Sequence, residues 1–225
     1  MIKGVFFDFD GTIADSSEGI FHTALYTIRA LGITEEYSES DLRKFVGPPL
    51  RDCFRVAFGL DPSLIDDAVS IYRDEYLRTG YRMMRLYPGI KELLGKLHAD
   101  GIMTGVATFK GEDLVKLCLE NLGVLHLFDT VHGSNERENR TKGDIIRMCV
   151  SDSGIADVEA LMVGDTANDL KGALDASVPF LGVRYGFGFA DMKELDGSPY
   201  ADDADGIYRY ICNRNGGEHD REDRD

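Results

Sequence analysis

The chain opens on an unbroken apolar run, Val5-Phe6-Phe7, that passes into Asp8-Phe9-Asp10-Gly11-Thr12. This is the pattern of a buried strand whose carboxyl end breaks into a turn. Side chains two apart on a strand share a face, so Asp8 and Asp10 can reach one bound group. Taken alone, the octapeptide is equally a strand that ends in a solvated Asp-Gly turn. The period then changes to helical: Ile20, Ala24, Leu25, Ile28 and Leu31 recur until Gly32, with Asp15 and Glu18 as a capping pair. Ser40 to Phe45 predicts a short helix, Gly47-Pro48-Pro49 a rigid break, and Leu50 to Phe58 another apolar-periodic segment. Asp61 caps a further helix with Pro62 at its first position, striped by Leu64, Ala68, Ile71 and Tyr72 as far as Thr79-Gly80. No strand pattern interrupts this stretch.

From Tyr87-Pro88-Gly89 helices alternate with short apolar strands, the pattern of a parallel sheet. Ile90, Leu93, Leu94 and Leu97 line a helix ending near Gly101. Strands are predicted over 102–108, 130–132, 160–163 and, as the last, 178–183. Helices are predicted over 112–122, over 145–150 after a polar loop at 135–140, and from Gly164-Asp165-Thr166-Ala167-Asn168-Asp169 through Ala176. The predicted fold is α/β. A Rossmann-like parallel sheet core comprises residues 1–13 and 86–212, and a small all-helical cap at 14–85 is inserted after the first strand. The polar, acidic tail 213–225 is expected to be disordered.

Composition narrows the function. The 225 residues, 43% hydrophobic, are enough to bury about 70–75% of the unfolded surface. The net charge of −15 excludes broad nucleic-acid or anionic-membrane binding, so a phosphate-bearing ligand needs a local cation. Cys53, Cys118, Cys149 and Cys212 lie far apart, which suggests neither zinc nor a disulfide framework. The five histidines form no spaced ligand set. Met1 runs directly into the first strand, and no segment reaches the ~18 apolar residues of a membrane span. A soluble, cytoplasmic protein, monomeric by default, is expected.

In an open parallel sheet, ligands bind outside the carboxyl ends of the strands. Three predicted strand ends carry polar groups: Asp8 with Asp10, Thr108, and Asp165 with Asp169 four residues on. Lys142, at a helix start, is the candidate cation. Oxygen-rich carboxylate clusters without His or Cys suit a hard ion such as Mg²⁺.

These motifs, in this order, resemble those of the haloacid dehalogenase-like hydrolases. Asp8-Phe9-Asp10-Gly11-Thr12 is similar to their DxDGT signature and Gly164 to Asp169 to their GDxxxD motif. Thr108 and Lys142 stand where the family has a hydroxyl and a lysine. Gly47-Pro48-Pro49-Leu50 and Leu86-Tyr87-Pro88-Gly89 resemble the phosphoglycolate phosphatase-like branch. The resemblance implies a phosphatase acting on a small phosphorylated metabolite. Asp8 would be the nucleophile, forming an aspartyl-phosphate, and Asp10 the general acid and base. Mg²⁺ would be held by Asp8, the Asp10 backbone carbonyl and Asp165, with Asp169 as a further or outer ligand, while Thr108 and Lys142 would bind phosphoryl oxygens.

Two positions depart from the family pattern. Phe109 stands where related phosphatases often carry Asn or Ser before a lysine, here Lys110, and Gly143 replaces the usual Pro after Lys142. Lys110 is therefore a fallback for Lys142. Arg51 reads as a surface arginine rather than a substrate contact, and the Gly186 and Gly188 loop as a turn at the edge of the site. The alternatives are a sugar-phosphate mutase, against which Thr12 argues, and a non-catalytic phosphate-metabolite sensor.

Overall fold

The computed structural model describes residues 1–46, 48–135, 139–189, 195 and 197–216. Its frame is a six-stranded parallel sheet built from β1 (Gly4–Phe7), β4 (Met103–Gly111), β5 (Thr130–Ser134), β6 (Ala160–Gly164), β7 (Phe180–Val183) and β8 (Tyr200–Ala201). The spatial order is β5-β4-β1-β6-β7-β8, so the first strand lies at the centre and the winding reverses beside it. Alternation along β1 sends Val5 and Phe7 to one face and Phe6 to the other, and each face has its own apolar layer. The Phe6 face is covered by α7 (Lys142–Ser153) and α8 (Ala167–Asp175) through Ile145, Ile146, Cys149, Leu170 and Ala173. The opposite face is covered by α5 (Ile90–Ala99), α6 (Glu112–Asn121) and α9 (Ala204–Arg214) through Leu94, Val115 and Ile207. Burial on both faces is why the strands read as continuous apolar runs.

Between β1 and α5 lie α1 (Ser17–Ala30), α2 (Glu39–Arg43), α3 (Leu50–Ala57) and α4 (Ile65–Arg78). An aromatic cluster packs them: Phe45 sits 4.9 Å from Phe54 and 5.5 Å from Tyr72, which stacks on Tyr76 at 5.6 Å. Ser38 caps α2 through a reciprocal box with Asp41, and Asp61 caps the 3-10 turn Pro62–Leu64 that leads into α4.

The structure corrects several expectations. The 14–85 stretch is not wholly helical: β2 (Ala14–Asp15) and β3 (Arg85–Leu86) pair antiparallel at its two ends, too short to show a period in the sequence. Ser16 rather than Asp15 occupies the N-cap position of α1, without a side-chain capping bond, while the Asp15 carboxylate turns to the Ser17 N–H and to Arg85 at 2.6 Å. The 178–183 strand is not the last, since β8 and α9 follow it. Nor does a disordered tail begin at 213: Asn213 and Arg214 complete α9, and Asn215 receives the Ile2 N–H and donates to the Ile2 carbonyl. The remainder of that expectation, 217–225, lies outside the described residues, as do Gly47 and residues 136–138 of the polar loop.

α1 meets the turn at Gly80–Arg82 so closely that a Cβ on Gly19 would stand 2.2 Å from the Gly80 carbonyl oxygen, whereas Gly95 in α5 has open space around it. Gly19→Ala is therefore expected to cost about 1–3 kcal/mol through overpacking against rigid backbone. Gly95→Ala should gain about 0.5–1 kcal/mol from helix propensity. Urea unfolding of both variants, compared at equal m-values, checks the opposite signs.

Candidate active site

β1 and β6 are neighbours, and the Asp8 N–H donates to the Val163 carbonyl at 2.9 Å, which aligns the ends of the two strands. Asp8 follows β1 and Asp165 follows β6, on either side of the crevice at the point where the strand order reverses. Asp169, in the first turn of α8, completes a group of three buried carboxylates whose oxygens lie within 4.8 Å of one another. Among the described residues this is the one cluster of that kind.

Each member is held by its own partners. Asp165 Oδ1 accepts from the Thr12 hydroxyl at 3.1 Å, and Oδ2 from the N–H groups of Phe187 and Gly188 at 2.8 and 3.2 Å. Asp169 Oδ2 accepts from the Thr166 hydroxyl at 2.6 Å in a capping box. Lys142 Nζ stands 2.7 Å from Asp8 Oδ1 and 2.6 Å from Asp169 Oδ1, with 4% of its side chain exposed.

Lys142 reaches this place because Thr141 and Asp144 start α7 with a capping box and because Gly172 leaves room for its stem. A Cβ at Gly172 would lie 2.6 Å from Lys142 Cγ. Gly143, where the resemblance leads one to expect Pro, lies at this close approach of α7 to α8, where an added Cβ would stand 3.3 Å from the Gly172 carbonyl oxygen. Phe109, where the family pattern often has Asn or Ser, turns its ring to the Lys142 ammonium at 5.4 Å.

The Asp10 carboxylate points elsewhere. Its Oδ1 accepts from the Ser16 hydroxyl at 2.5 Å, and Lys110 Nζ donates to both of its oxygens at 3.1 Å. Lys110 is thus placed beside Asp10, and Lys142 beside Asp8. A bulge in β4 brings it there. Pairing with β5 runs from Ala107↔His132 to Gly111↔Ser134, so four steps along β4 span two along β5. The bulged backbone presses on Gly133, where a Cβ would meet the Lys110 carbonyl oxygen at 2.3 Å. Thr108, buried in this bulge, accepts the Lys110 N–H at 3.2 Å and lines the same cavity as Asp8 and Asp10.

The 184–188 loop is more than an edge. Its N–H groups orient Asp165, and a Cβ on Gly186 would lie 2.4 Å from both the Asp165 side chain and the Gly11 carbonyl oxygen. Gly11, at φ +87°, likewise has no room for a Cβ beside Asp165. The glycine spacing was the visible signal of this role, but its target could not be read from the sequence. Arg51 pairs with Asp66 at 2.6 Å on the surface.

Burial, reinforced by Asp169, pushes the Asp8 carboxyl up to about 6 against the pull of Lys142. Burial, with Asp169 and Asp8, raises Asp165 well above the usual carboxylate range. With all three carboxylates ionised, the one ammonium leaves two negative charges uncompensated. The donors are all hard oxygens, so the trio fits a divalent ion of the Mg²⁺ type.

The chain matches the family model described as haloacid dehalogenase-like hydrolase over residues 5–183, and it belongs to that family. It is 36% identical over 188 residues to a 5′-nucleotidase of Pseudomonas aeruginosa, covering 83% of this chain and 85% of that one. It is 32% identical to the tyrosine-protein kinase PtkA of Mycobacterium tuberculosis over 84% of this chain, spanning 64% of that protein's length. A phosphoglycolate phosphatase of Vibrio cholerae matches at 29% over 83% of this chain and 86% of its own. Among solved structures, a predicted phosphatase from Clostridium acetobutylicum superposes with a TM-score of 0.86 at 34% identity, covering 95% of this chain and all of that one. Among the described residues no helix is long and apolar enough to cross a membrane.

Because Asp8 has a folded pKa above its unfolded value of 3.8, its protonated form stabilises the fold at low pH. That contribution is lost as pH rises from about 4 to about 6. A divalent cation that replaces the proton is therefore expected to stabilise most above this window. At a hundredfold excess over Kd it should add about 2.7 kcal/mol, or roughly 5–10 °C in Tm at pH 7.5. The gain should be clearly smaller at pH 5. Thermal melts with and without MgCl₂ at both pH values check it.

Proposed function

We propose that this chain is a Mg²⁺-dependent phosphatase that hydrolyses a small phosphate monoester through an aspartyl-phosphate on Asp8. The observation that carries the reading is the meeting of Asp8 with Asp165, Asp169 and Lys142, Asp8 itself lining a cavity together with Asp10 and Thr108. Asp8, Asp165 and Asp169, with the Asp10 backbone carbonyl, would hold the Mg²⁺, which when bound would neutralise charge on the phosphoryl oxygens. Lys142 adds a fixed cation beside the nucleophile, and Thr108 a hydroxyl for the transferring group.

In the first half-reaction an Asp8 oxygen attacks phosphorus, the bond to the ester oxygen breaks, and Asp10 gives that oxygen its proton. In the second, Asp10 takes a proton from water, the water oxygen attacks phosphorus, and inorganic phosphate leaves Asp8 free. Phosphate-monoester hydrolysis needs up to ~10²¹-fold acceleration. One placed donor supplies about 10²–10³, so the reaction requires all of these groups together.

The cavity, about 970 Å³, supports a leaving group with a sizeable planar or apolar body. Phe45, Leu50, Tyr72, Tyr76 and Phe109 line it, a wall that a two-carbon acid would leave largely uncovered. A nucleoside 5′-monophosphate matches this wall, and the Pseudomonas relative is named a 5′-nucleotidase.

With MgCl₂, phosphate release is expected to be fastest from nucleoside 5′-monophosphates in a panel that includes phosphoglycolate, sugar phosphates and pyrophosphate. Chelation should abolish it, and Asp8→Asn should lower kcat by roughly 10³-fold or more. Release from no member of the panel overturns the reading. Conversion of a hexose 1-phosphate to its 6-phosphate without free phosphate would mark a mutase instead.

A further inference from the structure

Two buried lysines serve two different carboxylates. Lys142 is engaged with Asp8 and Asp169, whereas Lys110 meets neither of them in an ion pair among the described residues and addresses both oxygens of Asp10. The side chains of Lys110 and Asp10 are 7% and 15% exposed, so the pair is largely shielded from solvent. Burial opposes the charge on Lys110, yet Asp10 and the surrounding groups hold its pKa well above the usual lysine value.

The ammonium is enclosed by aromatic faces, Phe9 at 5.5 Å from the core and Tyr76 at 4.7 Å from α4. Together with Ser16, this arrangement fixes the plane of the Asp10 carboxylate through three donor contacts. Oδ1 accepts from Ser16 and Lys110, while Oδ2 accepts from Lys110 alone among the described residues and keeps acceptor capacity for an incoming group. A lysine whose job was to bind the phosphoryl group would not have its ammonium committed to the acid–base carboxylate on both oxygens. The β4 bulge that delivers it is a further local departure from regular pairing made at this one place.

We propose that Lys110 is a positioning residue that holds Asp10 in the orientation from which it delivers a proton to the leaving oxygen and takes one from water. The inference rests on the acid–base role proposed above for Asp10. Its consequence is selective. An alkoxide cannot leave without a proton, but p-nitrophenolate is stable as the anion and can. Loss of Asp10 positioning therefore slows phosphoryl transfer from alkyl phosphates and largely spares p-nitrophenyl phosphate. Loss of a phosphoryl ligand, of the metal site or of the fold slows both alike.

The test compares kcat/KM for p-nitrophenyl phosphate and for the fastest alkyl phosphate of the panel, both with MgCl₂, since kcat/KM reports the step that forms the aspartyl-phosphate. Lys110→Met is expected to reduce the alkyl value by roughly 10²-fold and the aryl value by less than about fivefold. In an Asp10→Asn background the same change should move neither kcat/KM value further. Lys110→Gln, which keeps a donor for Asp10, should fall between wild type and Met, and it is read by the same ratio where the Met variant does not yield folded protein. Equal losses on the two substrates overturn the inference. An Asp10→Asn variant that loses alkyl and aryl activity equally overturns the acid–base reading of Asp10 itself.

Discussion

The constraint on which the rest of the site depends is a charge imbalance among buried groups. Asp8, Asp165 and Asp169 are buried together, and a single ammonium, that of Lys142, accompanies them. Two like charges about 4 Å apart repel by about 4 kcal/mol even at an effective dielectric of 20, which is large against a net stability of roughly 5–15 kcal/mol. The pocket relieves part of this by holding protons, as the raised values of Asp8 and Asp165 indicate. It can relieve the remainder only by taking up positive charge. An arrangement that costs stability when empty and is favourable when a dication enters is built for binding rather than for holding the fold together.

Such an arrangement persists only where the backbone leaves the carboxylates no alternative. The Asp8 N–H is committed to the Val163 carbonyl, and Asp169 is locked into the first turn of α8 by Thr166. Asp165 is gripped by Thr12 and by two N–H groups of the loop after β7. Gly11, Gly143, Gly172 and Gly186 supply the close approaches, since a side chain at these positions would press on Asp165, on Lys142 or on neighbouring backbone. Outer partners of this kind orient ligands before any ion arrives, so less ordering remains to be done on binding.

The strand and helix runs of the core were legible because each is long enough to show a period, and both faces of the sheet are apolar. Asp8, Asp10, Thr108, Lys142, Asp165 and Asp169 stood out as residues at strand ends and a helix start; the structure brings Lys142, Asp165 and Asp169 to Asp8, which lines a cavity with Asp10 and Thr108. What could not be read depends on single residues or on distance. β2, β3 and β8 have two residues each, too few for any pattern. The choice between Lys110 and Lys142 was open because Lys110 follows the strand-end hydroxyl of Thr108, whereas Lys142 starts a helix with Gly143 where Pro is expected. The structure places Lys110 beside Asp10 through a bulge whose traces in the sequence are Gly111 at its end and Gly133 on the strand opposite. The Phe187 and Gly188 N–H groups that hold Asp165 are main-chain donors, for which no residue type is diagnostic.

The same charge accounting bears on how an anionic ester can bind here at all. The chain carries a net charge of −15, and much of the cationic character of the cavity wall is already committed: Lys110 to Asp10, Lys116 to Glu112, and Arg140 to Glu112 and the Gly133 carbonyl. Little of that charge is left over to attract a phosphate dianion. Under the proposed function, a cation held at the carboxylate trio, with Lys142 beside it, would supply the net attraction and make the pocket able to accept a phosphoryl oxygen. Ion and ester are thereby linked: each lowers the electrostatic cost of the other, and by reciprocity the ester must tighten the hold on the ion as much as the ion tightens the hold on the ester. The aromatic wall formed by residues such as Phe45, Tyr72 and Tyr76 adds area but no charge, so under the proposed function it would discriminate among esters by the shape of the alcohol while the trio would supply the attraction common to them all.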